Sequence, residues 1–355
     1  MHTNTQKALS ELEKRIVTGF YAENSFLPAE RKLCDELGVG RGALQAIFKH
    51  LAAIGRVRIE RARGVRVLPV GGRARLRRLL IVESADFSLS NSYEHLKLLD
   101  GIVRAADKAG VEATLMFFDG DTPTERLIER YSREEFQAVA VIENAGLVKM
   151  DQLIRYGIPV VVVNLETDDK LPAVQVDFRK VGRRAGQELL AQGHRVIGAI
   201  VGAREGFIFR EMLAGLKGAL AEEDLQLAPG HVVEMIRNAP TEEERLRELL
   251  TASNRPTAFF AARDWRAERL VKSCTALGIK VPEELSMISY DNMSWPEAES
   301  FGLTTISEPT AGMGEQAISL LQGWLATGEV PDRIIVPGEL ITRSSLHPPQ
   351  TEQSV

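Results

Sequence analysis

Apolar residues recur at three- and four-residue spacing near the start of the chain, where Leu9, Leu12, Ile16 and Phe20 trace one helical face beginning near Gln6. Gly19 and Asn24 end that segment. Leu27-Pro28-Ala29-Glu30-Arg31-Lys32-Leu33 opens a second helix in which Pro28 suits the first position, Leu33 and Leu37 share a face, and Gly38 is the stop. The short turn Gly38-Val39-Gly40 leads into Arg41–Ile54, where Leu44, Ile47, Phe48, Leu51 and Ile54 form the next stripe. Two helices joined by so short a glycine-bearing turn predict a helix-turn-helix. After Gly55 the period drops to two: Val57-Arg58-Ile59-Glu60 and Val65-Arg66-Val67-Leu68 alternate apolar with charged residues around the basic turn Arg61-Ala62-Arg63-Gly64. A hairpin in that place is a wing, so residues 1–70 are expected to form a winged helix-turn-helix. Pro69, Gly71 and Gly72 punctuate the chain before Arg73, Arg75, Arg77 and Arg78, which marks residues 71–77 as a linker. Those arginines either track a phosphate backbone or keep the connector solvated.

From Leu79 onward, short apolar runs alternate with amphipathic stretches. Strands are expected at Leu79–Val82, Ala113–Phe117, Ala138–Ile142, Val160–Val163, Val174–Val176, Ile197–Val201, Val232–Met235, Ala258–Ala261 and Leu285–Tyr290. Helices fall between them at His95–Ala109, Thr124–Tyr131, Lys149–Tyr156, Arg179–Gln192, Arg210–Glu222, Thr241–Thr251, Arg266–Leu277 and Gly312–Thr327. This alternation predicts an α/β body of doubly wound parallel sheets. About nine strands exceed one core, so residues 78–346 are read as two lobes and 347–355 as a tail.

Charge sharpens that division. The 355-residue chain carries a net charge of −5, yet residues 1–78 hold 16 Lys and Arg against 7 Asp and Glu, and the remainder is acidic. A basic head on an acidic body points to a polyanion met by the head alone, unless the arginines merely solvate a face. The longest apolar runs are far shorter than a membrane span, and Met1–Leu9 lacks a signal-peptide core, so no membrane partner is expected and a cytoplasmic location is. Cys34 and Cys274 stand far apart, which argues against a disulfide framework or metal site. No Gly-x-Ser-x-Gly elbow, zinc-spaced histidine pair or complete phosphate-binding loop is present. No catalytic residue, cofactor or metal is therefore assigned; His194 and Cys274 are read as structural.

The helix opening at Arg41 can present its first side chains to base edges in a major groove, with Arg31 on a phosphate and the arginine-bearing wing at the minor groove. Leu27-Pro28-Ala29-Glu30-Arg31-Lys32-Leu33, Gly38-Val39-Gly40-Arg41 and His50-Leu51-Ala52-Ala53-Ile54-Gly55 together resemble the GntR-type winged helix, over roughly residues 6–68. The resemblance implies that Arg31 and Arg41 are the paired DNA-contacting arginines and that Gly64 is the second wing glycine. Gly42 and Ala43 stand where the family has small hydroxyl residues, Gln45 where arginine is common, and Ala62 replaces the first wing glycine. The operator is therefore not transferable. Gln45 can read an adenine or bridge to phosphate, and Lys49 and Arg63 complete the expected contact set.

A second resemblance covers roughly residues 78–346. Gly101–Ala106 with Ala109-Gly110-Val111, Tyr156–Val161, Val176-Asp177-Phe178, Gly193–Ile197, Arg210–Leu216, Arg263-Asp264, Gly278–Glu284, Tyr290-Asp291-Asn292 and Leu303–Ile306 fall in the order of the LacI/GalR regulator domain, which is related to periplasmic sugar-binding proteins. That resemblance implies a ligand between the lobes, beyond the carboxyl ends of the strands. Arg210, Asp264 and Asp291 match ligand-contacting positions, and Phe209 and Trp265 can stack on a sugar ring. Ser92 and Tyr93 in the first loop and the strand-end Asn164 and Asp177 are further candidates. Each polar position has a bland alternative: an interlobe salt-bridge network, or a helix cap. Arg263, with Arg204 and Arg210, favours an anionic ligand such as a sugar acid or sugar phosphate, while neutral sugars also fit. Together the resemblances imply a regulator, a repressor, that binds double-stranded operator DNA as a homodimer and answers to a small carbohydrate-like effector. Two other readings stay open: a ligand-binding or enzymatic protein whose head meets no DNA, and a DNA-binding protein whose cleft takes no effector.

Overall fold

The computed structural model describes residues 3–17, 20–22, 24–53, 55–60, 63–68, 75–84, 93–119, 123–142, 148–164, 171–204, 206–236, 241–293 and 301–349. Gly19, Ile54, Arg61, Ala62, most of the linker and Ser92 lie outside them. The chain divides into two units, one comprising Met1–Gln175 with Thr310–Ile334 and the other Val176–Pro309 with Ile335–Val355.

The first unit opens with helices α1 (Thr3–Val17), α2 (Glu30–Leu37) and α3 (Arg41–Ala53), followed by the antiparallel strands β1 (Val57–Glu60) and β2 (Gly64–Val67). Leu9, Leu12, Ile16, Leu33, Leu44, Ile47, Phe48 and Leu51 are buried in one cluster with Val57, Val65 and Val67, so the two periodicities converge on a single core. Gly38 takes the left-handed conformation (φ 64°) and lets the Val39 amide close α2 on the Cys34 carbonyl at 3.1 Å.

Pro28 is not the first residue of α2; the chain is still extended at Ala29 (φ −52°, ψ 141°), and the helix starts at Glu30. Residues 24–27 are held as a third wing strand. The Asn24 amide donates to the Val67 carbonyl (2.9 Å), Val67 to Ser25 (2.8 Å) and Leu27 to Val65 (2.8 Å). This pairing keeps the backbone extended to the proline, which disfavours a helical residue before it.

The first sheet is built from β3 (Arg78–Ser84), α4 (Tyr93–Lys108), β4 (Glu112–Phe118), α5 (Thr124–Arg133), β5 (Ala138–Ile142), α6 (Met150–Arg155), β6 (Val160–Val163) and β7 (Ala173–Gln175). The second unit continues with α7 (Phe178–Ala191), β8 (Ile197–Val201), α8 (Phe207–Ala221), β9 (Val232–Glu234), α9 (Thr241–Thr251), β10 (Ala258–Ala261), α10 (Asp264–Leu277), β11 (Ser286–Asp291) and β12 (Thr304–Ser307). Helix α11 (Thr310–Thr327) belongs to the first unit, and β13 (Ile334–Ile335) and β14 (Leu340–Ile341) close the sheets. The strand orders are β13-β7-β6-β5-β3-β4 and β14-β12-β11-β10-β8-β9. In each, the first strand lies between the second and third, so the winding reverses between β3 and β5 and again between β8 and β10. The pairings among β3–β7 and among β8–β12 are parallel, and β14 runs antiparallel to β12. Every residue of β5, β6, β8, β10 and β11 is buried, which explains why the first four of these read as unbroken apolar runs.

Strand β12 has no apolar run to mark it in the sequence. Thr304 and Thr305 are polar yet fully buried, because their side chains and backbone are satisfied within the fold. Residues 343–349 strap the second sheet at its amino edge. Ser345 Oγ donates to the Met287 carbonyl (2.6 Å) and accepts from the Thr304 amide (2.8 Å), while the His347 amide donates to Ser286 Oγ (2.9 Å).

Candidate nucleic-acid interface and sensor edge

Helix α3 turns Leu44, Ile47, Phe48 and Leu51 into the core and leaves Arg41, Gly42 and Lys49 exposed, with Ala43 and Gln45 half-buried. Arg41, Gln45 and Lys49 follow one another at four-residue spacing, so they share a stripe along the helix. The Arg41 side chain is 81% exposed, and its Nε donates to Glu30 Oε2 at 2.9 Å. Gln45 Nε2 donates to the other oxygen of the same carboxylate. Glu30 escaped the sequence analysis, although it sits inside the Leu27–Leu33 motif; only the fold brings it across eleven residues to Arg41. Arg31 is exposed one position later on α2. At the wing, Arg63 is 74% exposed and Gly64 has φ 112°, a conformation that favours glycine. A Cβ on Gly42 would meet nothing within 4 Å, so this part of α3 offers an open surface for close approach.

In the second unit, the carboxyl edge of the sheet gathers polar groups at the ends of β10, β11 and β12. Three non-glycine residues there have positive φ: Arg263 (88°), Asp291 (123°) and Asn292 (56°). Strained backbone of this kind persists where the surroundings impose it and concentrates at binding sites. Arg263 is buried with Nη1 at 3.2 Å from Asp291 Oδ1 and 3.9 Å from Glu308 Oε2. The Tyr290 hydroxyl donates to Glu308 Oε1 at 3.0 Å. Burial, reinforced by the Glu308 and Asp291 charges, holds that phenol well above its ordinary pKa, so it remains a donor. Both Asp264 oxygens serve the scaffold: Oδ1 accepts from Thr305 Oγ1 (2.9 Å) and Oδ2 from the Met293 amide (2.6 Å).

The remaining candidates divide. Arg210 lies in the first turn of α8, part-exposed, with its guanidinium 5.8 Å from the Phe207 ring. Phe209 and Trp265 do converge, but on a cation the sequence analysis missed: the Arg266 guanidinium lies 4.8 Å from the first ring and 4.3 Å from the second, and donates to the Met235 (2.9 Å) and Ala262 (2.8 Å) carbonyls. Asp177 caps α7, its Oδ1 accepting from the Lys180 amide at 2.9 Å. In the first unit, Asn164 is buried at the carboxyl end of β6 with φ 52°, and Tyr93 begins α4. The charge argument for an anionic ligand weakens, since Arg263 faces two carboxylates and Arg204 Nε lies 2.7 Å from Glu234.

Neither residue set aside as structural is poised for chemistry. Cys274 is buried in the second core, which pushes its thiol up to about 12. His194 bridges Thr257 Oγ1 and the His347 carbonyl, both at 2.9 Å, and so anchors the C-terminal strap. Because the carbonyl only accepts, Nε2 carries the proton.

Comparison with known proteins places these two regions. Residues 4–67 match the model of bacterial regulatory proteins of the gntR family, and residues 186–346 match a periplasmic binding protein-like domain. The chain is 31% identical over 166 residues to the HTH-type transcriptional repressor PurR of Escherichia coli O1:K1, covering 46% of this chain and 49% of that protein. It is 33% identical over 166 residues to PurR of Yersinia enterocolitica, with the same coverage of 46% and 49%. The chain thus spans about half the length of these curated relatives. A LacI family regulator from Mycobacterium smegmatis superimposes with a TM-score of 0.62 at 23% identity, covering 77% of this chain and 100% of that one. A LacI family regulator from Enterococcus faecium with bound ribose gives 0.63 at 23%, covering 76% and 99%. The CelR–cellobiose complex gives 0.64 at 22%, covering 90% and 100%. Residues 4–67 thus match a GntR-type winged helix-turn-helix, and the body, matched over residues 186–346 by a periplasmic binding protein-like domain, has the fold of the solved LacI family regulators.

Proposed function

We propose that the protein is a cytoplasmic transcription regulator, a repressor, that binds double-stranded operator DNA as a homodimer under the control of a small polar effector. The observation that carries this reading is the stripe of α3, where the exposed Arg41 and the Glu30-tethered Gln45 stand clear of the core. Arg31, Arg41 and Lys49 supply phosphate and base contacts from the helices, the Gly42-Ala43 backbone permits close approach, and Arg63 and Gly64 bring the wing to the minor groove. The effector is a sugar, sugar acid or sugar phosphate held at the carboxyl edge of the second sheet. Arg210 and Asp291 contact it there, Trp265 packs beside it, and Asp264 fixes the edge. Ribose and cellobiose bound to proteins of the same fold support the carbohydrate class. A ligand shifts the regulator only by its differential affinity for two states, so the effect on DNA is set by how well each state accommodates it.

Gel mobility shift on a pool of random-sequence duplexes at low salt tests the DNA reading. Wild type is expected to bind in a salt-sensitive manner, and Arg41→Ala to lose about tenfold or more. Failure of wild type to bind any duplex would refute it. Thermal shift across sugars, sugar acids and sugar phosphates tests the effector, with Asp291→Asn expected to abolish any stabilisation found.

A further inference from the structure

A two-stranded hairpin is marginal by itself, and this wing has only four residues in each strand. Its tip carries Arg63 and Gly64, so the angle of the hairpin decides where those residues meet a duplex. At about 3.3 Å per residue the tip lies roughly 13 Å from the hairpin base, and a 10° change in pitch moves it by about 2 Å. That displacement breaks a hydrogen bond. Backbone pairing of residues 24–27 with β2 and the buried Val57, Val65 and Val67 hold the base of the hairpin, and Arg66 adds side-chain ties on its outer face. Its Nε donates to Glu60 Oε1 on the opposite wing strand (2.7 Å), its Nη1 donates to the Asn24 carbonyl on the third strand (2.7 Å), and its plane covers the Phe26 ring at 4.3 Å. Phe26 pairs with Arg66 across the strands and places Cδ1 3.6 Å from where a Gly64 Cβ would stand. Phe26 is 40% exposed, an unusual position for so large an apolar ring unless its outer face serves the guanidinium.

We propose that Phe26, Arg66 and Glu60 form a brace that fixes the wing on the helix-turn-helix, which makes Phe26 and Arg66 positioning residues for the DNA contact. This inference rests on the DNA-binding reading above. Arg66 uses two donors and its flat face inside the domain, so its contribution to binding is geometric, whereas Arg63 at the tip is 74% exposed and held only by a long 3.9 Å ion pair to Glu60. The distinction has a direct signature. Each phosphate contact contributes about 0.9 to the slope of log affinity against log salt, and a brace contributes nothing to it.

The test measures duplex affinity of the full chain across a salt series, using the same random-sequence pool. Phe26→Ala and the charge-keeping Arg66→Lys are expected to weaken binding about tenfold with the salt slope unchanged, Phe26→Tyr to restore wild-type affinity, and Arg63→Ala to lower the slope by about 1. Unchanged affinity in both brace variants, or a slope that falls with either, overturns the brace. If wild type binds no duplex, the DNA reading fails by itself, and amide exchange at Leu27 and Val67 judges the brace separately. Faster exchange in Phe26→Ala and Arg66→Lys supports it; protection equal to wild type overturns it.

Discussion

Two side chains on the exposed stripe of α3 are held by one carboxylate: Glu30 receives Arg41 and Gln45 on its two oxygens. An exposed ion pair of this kind contributes little to stability, on the order of 0–1 kcal/mol, but it narrows the directions in which Arg41 points. His50, on the buried side of the same helix, has the opposite character. It abuts Gly157, whose Cβ would lie 3.0 Å from Nε2, and burial lowers its pKa to about 4. The unfolded chain, with histidine near 6.5, binds the proton more readily than the folded one. The stability that depends on neutral His50 is thus fully present above about pH 6.5 and is lost as pH falls toward 4, by about 3 kcal/mol. Urea midpoints at pH 7.5 and 4.5 check this. His50→Leu should show a smaller drop than wild type between the two, and an equal drop would refute the assignment.

Among the elements, the helix pairs are set by glycine. A Cβ on Gly182 would stand 1.8 Å from the Met212 carbonyl oxygen, and one on Gly215 would stand 1.9 Å from that of Arg179, so α7 and α8 touch backbone to backbone. The first unit repeats the device: a Cβ on Gly101 of α4 would lie 2.3 Å from the Thr310 carbonyl at the start of α11. Helix propensity alone favours alanine at each position, yet alanine here forces the helices apart. Gly182→Ala is expected to destabilise the protein by about 3 kcal/mol, seen as a lower denaturant midpoint; a neutral or stabilised variant would show that α7 and α8 part easily. Central strands and long helices were legible because their apolar runs and stripes are continuous. The start of α2 and the strand β12 were not, because long-range hydrogen bonds override the local pattern at Leu27 and satisfy buried threonines at Thr304 and Thr305.

On the scale of the whole chain, charge is partitioned: residues 1–78 are basic and the rest is acidic. On the proposed DNA reading, a polyanion is drawn to the head and repelled by the body, so association is governed by counterion release. With about six phosphates contacted, duplex affinity should fall on the order of a thousandfold between 50 and 200 mM salt. Fluorescence anisotropy at several salt concentrations measures it, and a flat dependence would exclude an electrostatic interface. The body repeats one winding order in two sheets, and its winding reversals put loops and helix starts, where polar residues are tolerated, at the carboxyl edges.

The sequence by itself determined the kinds of element and their order, because a helical stripe, an alternating strand and a buried apolar run each record the local demand for a core. It also marked Arg41, Arg210 and Asp291 by position. Tertiary structure alone decided what those residues touch. Glu30 reaches Arg41, Arg266 lies against Phe209, and Arg263 meets Asp291 and Glu308 only after distant segments are folded together. Pairings of this kind leave no period in the sequence, since a charge or an aromatic ring is satisfied by whatever neighbour the packing supplies.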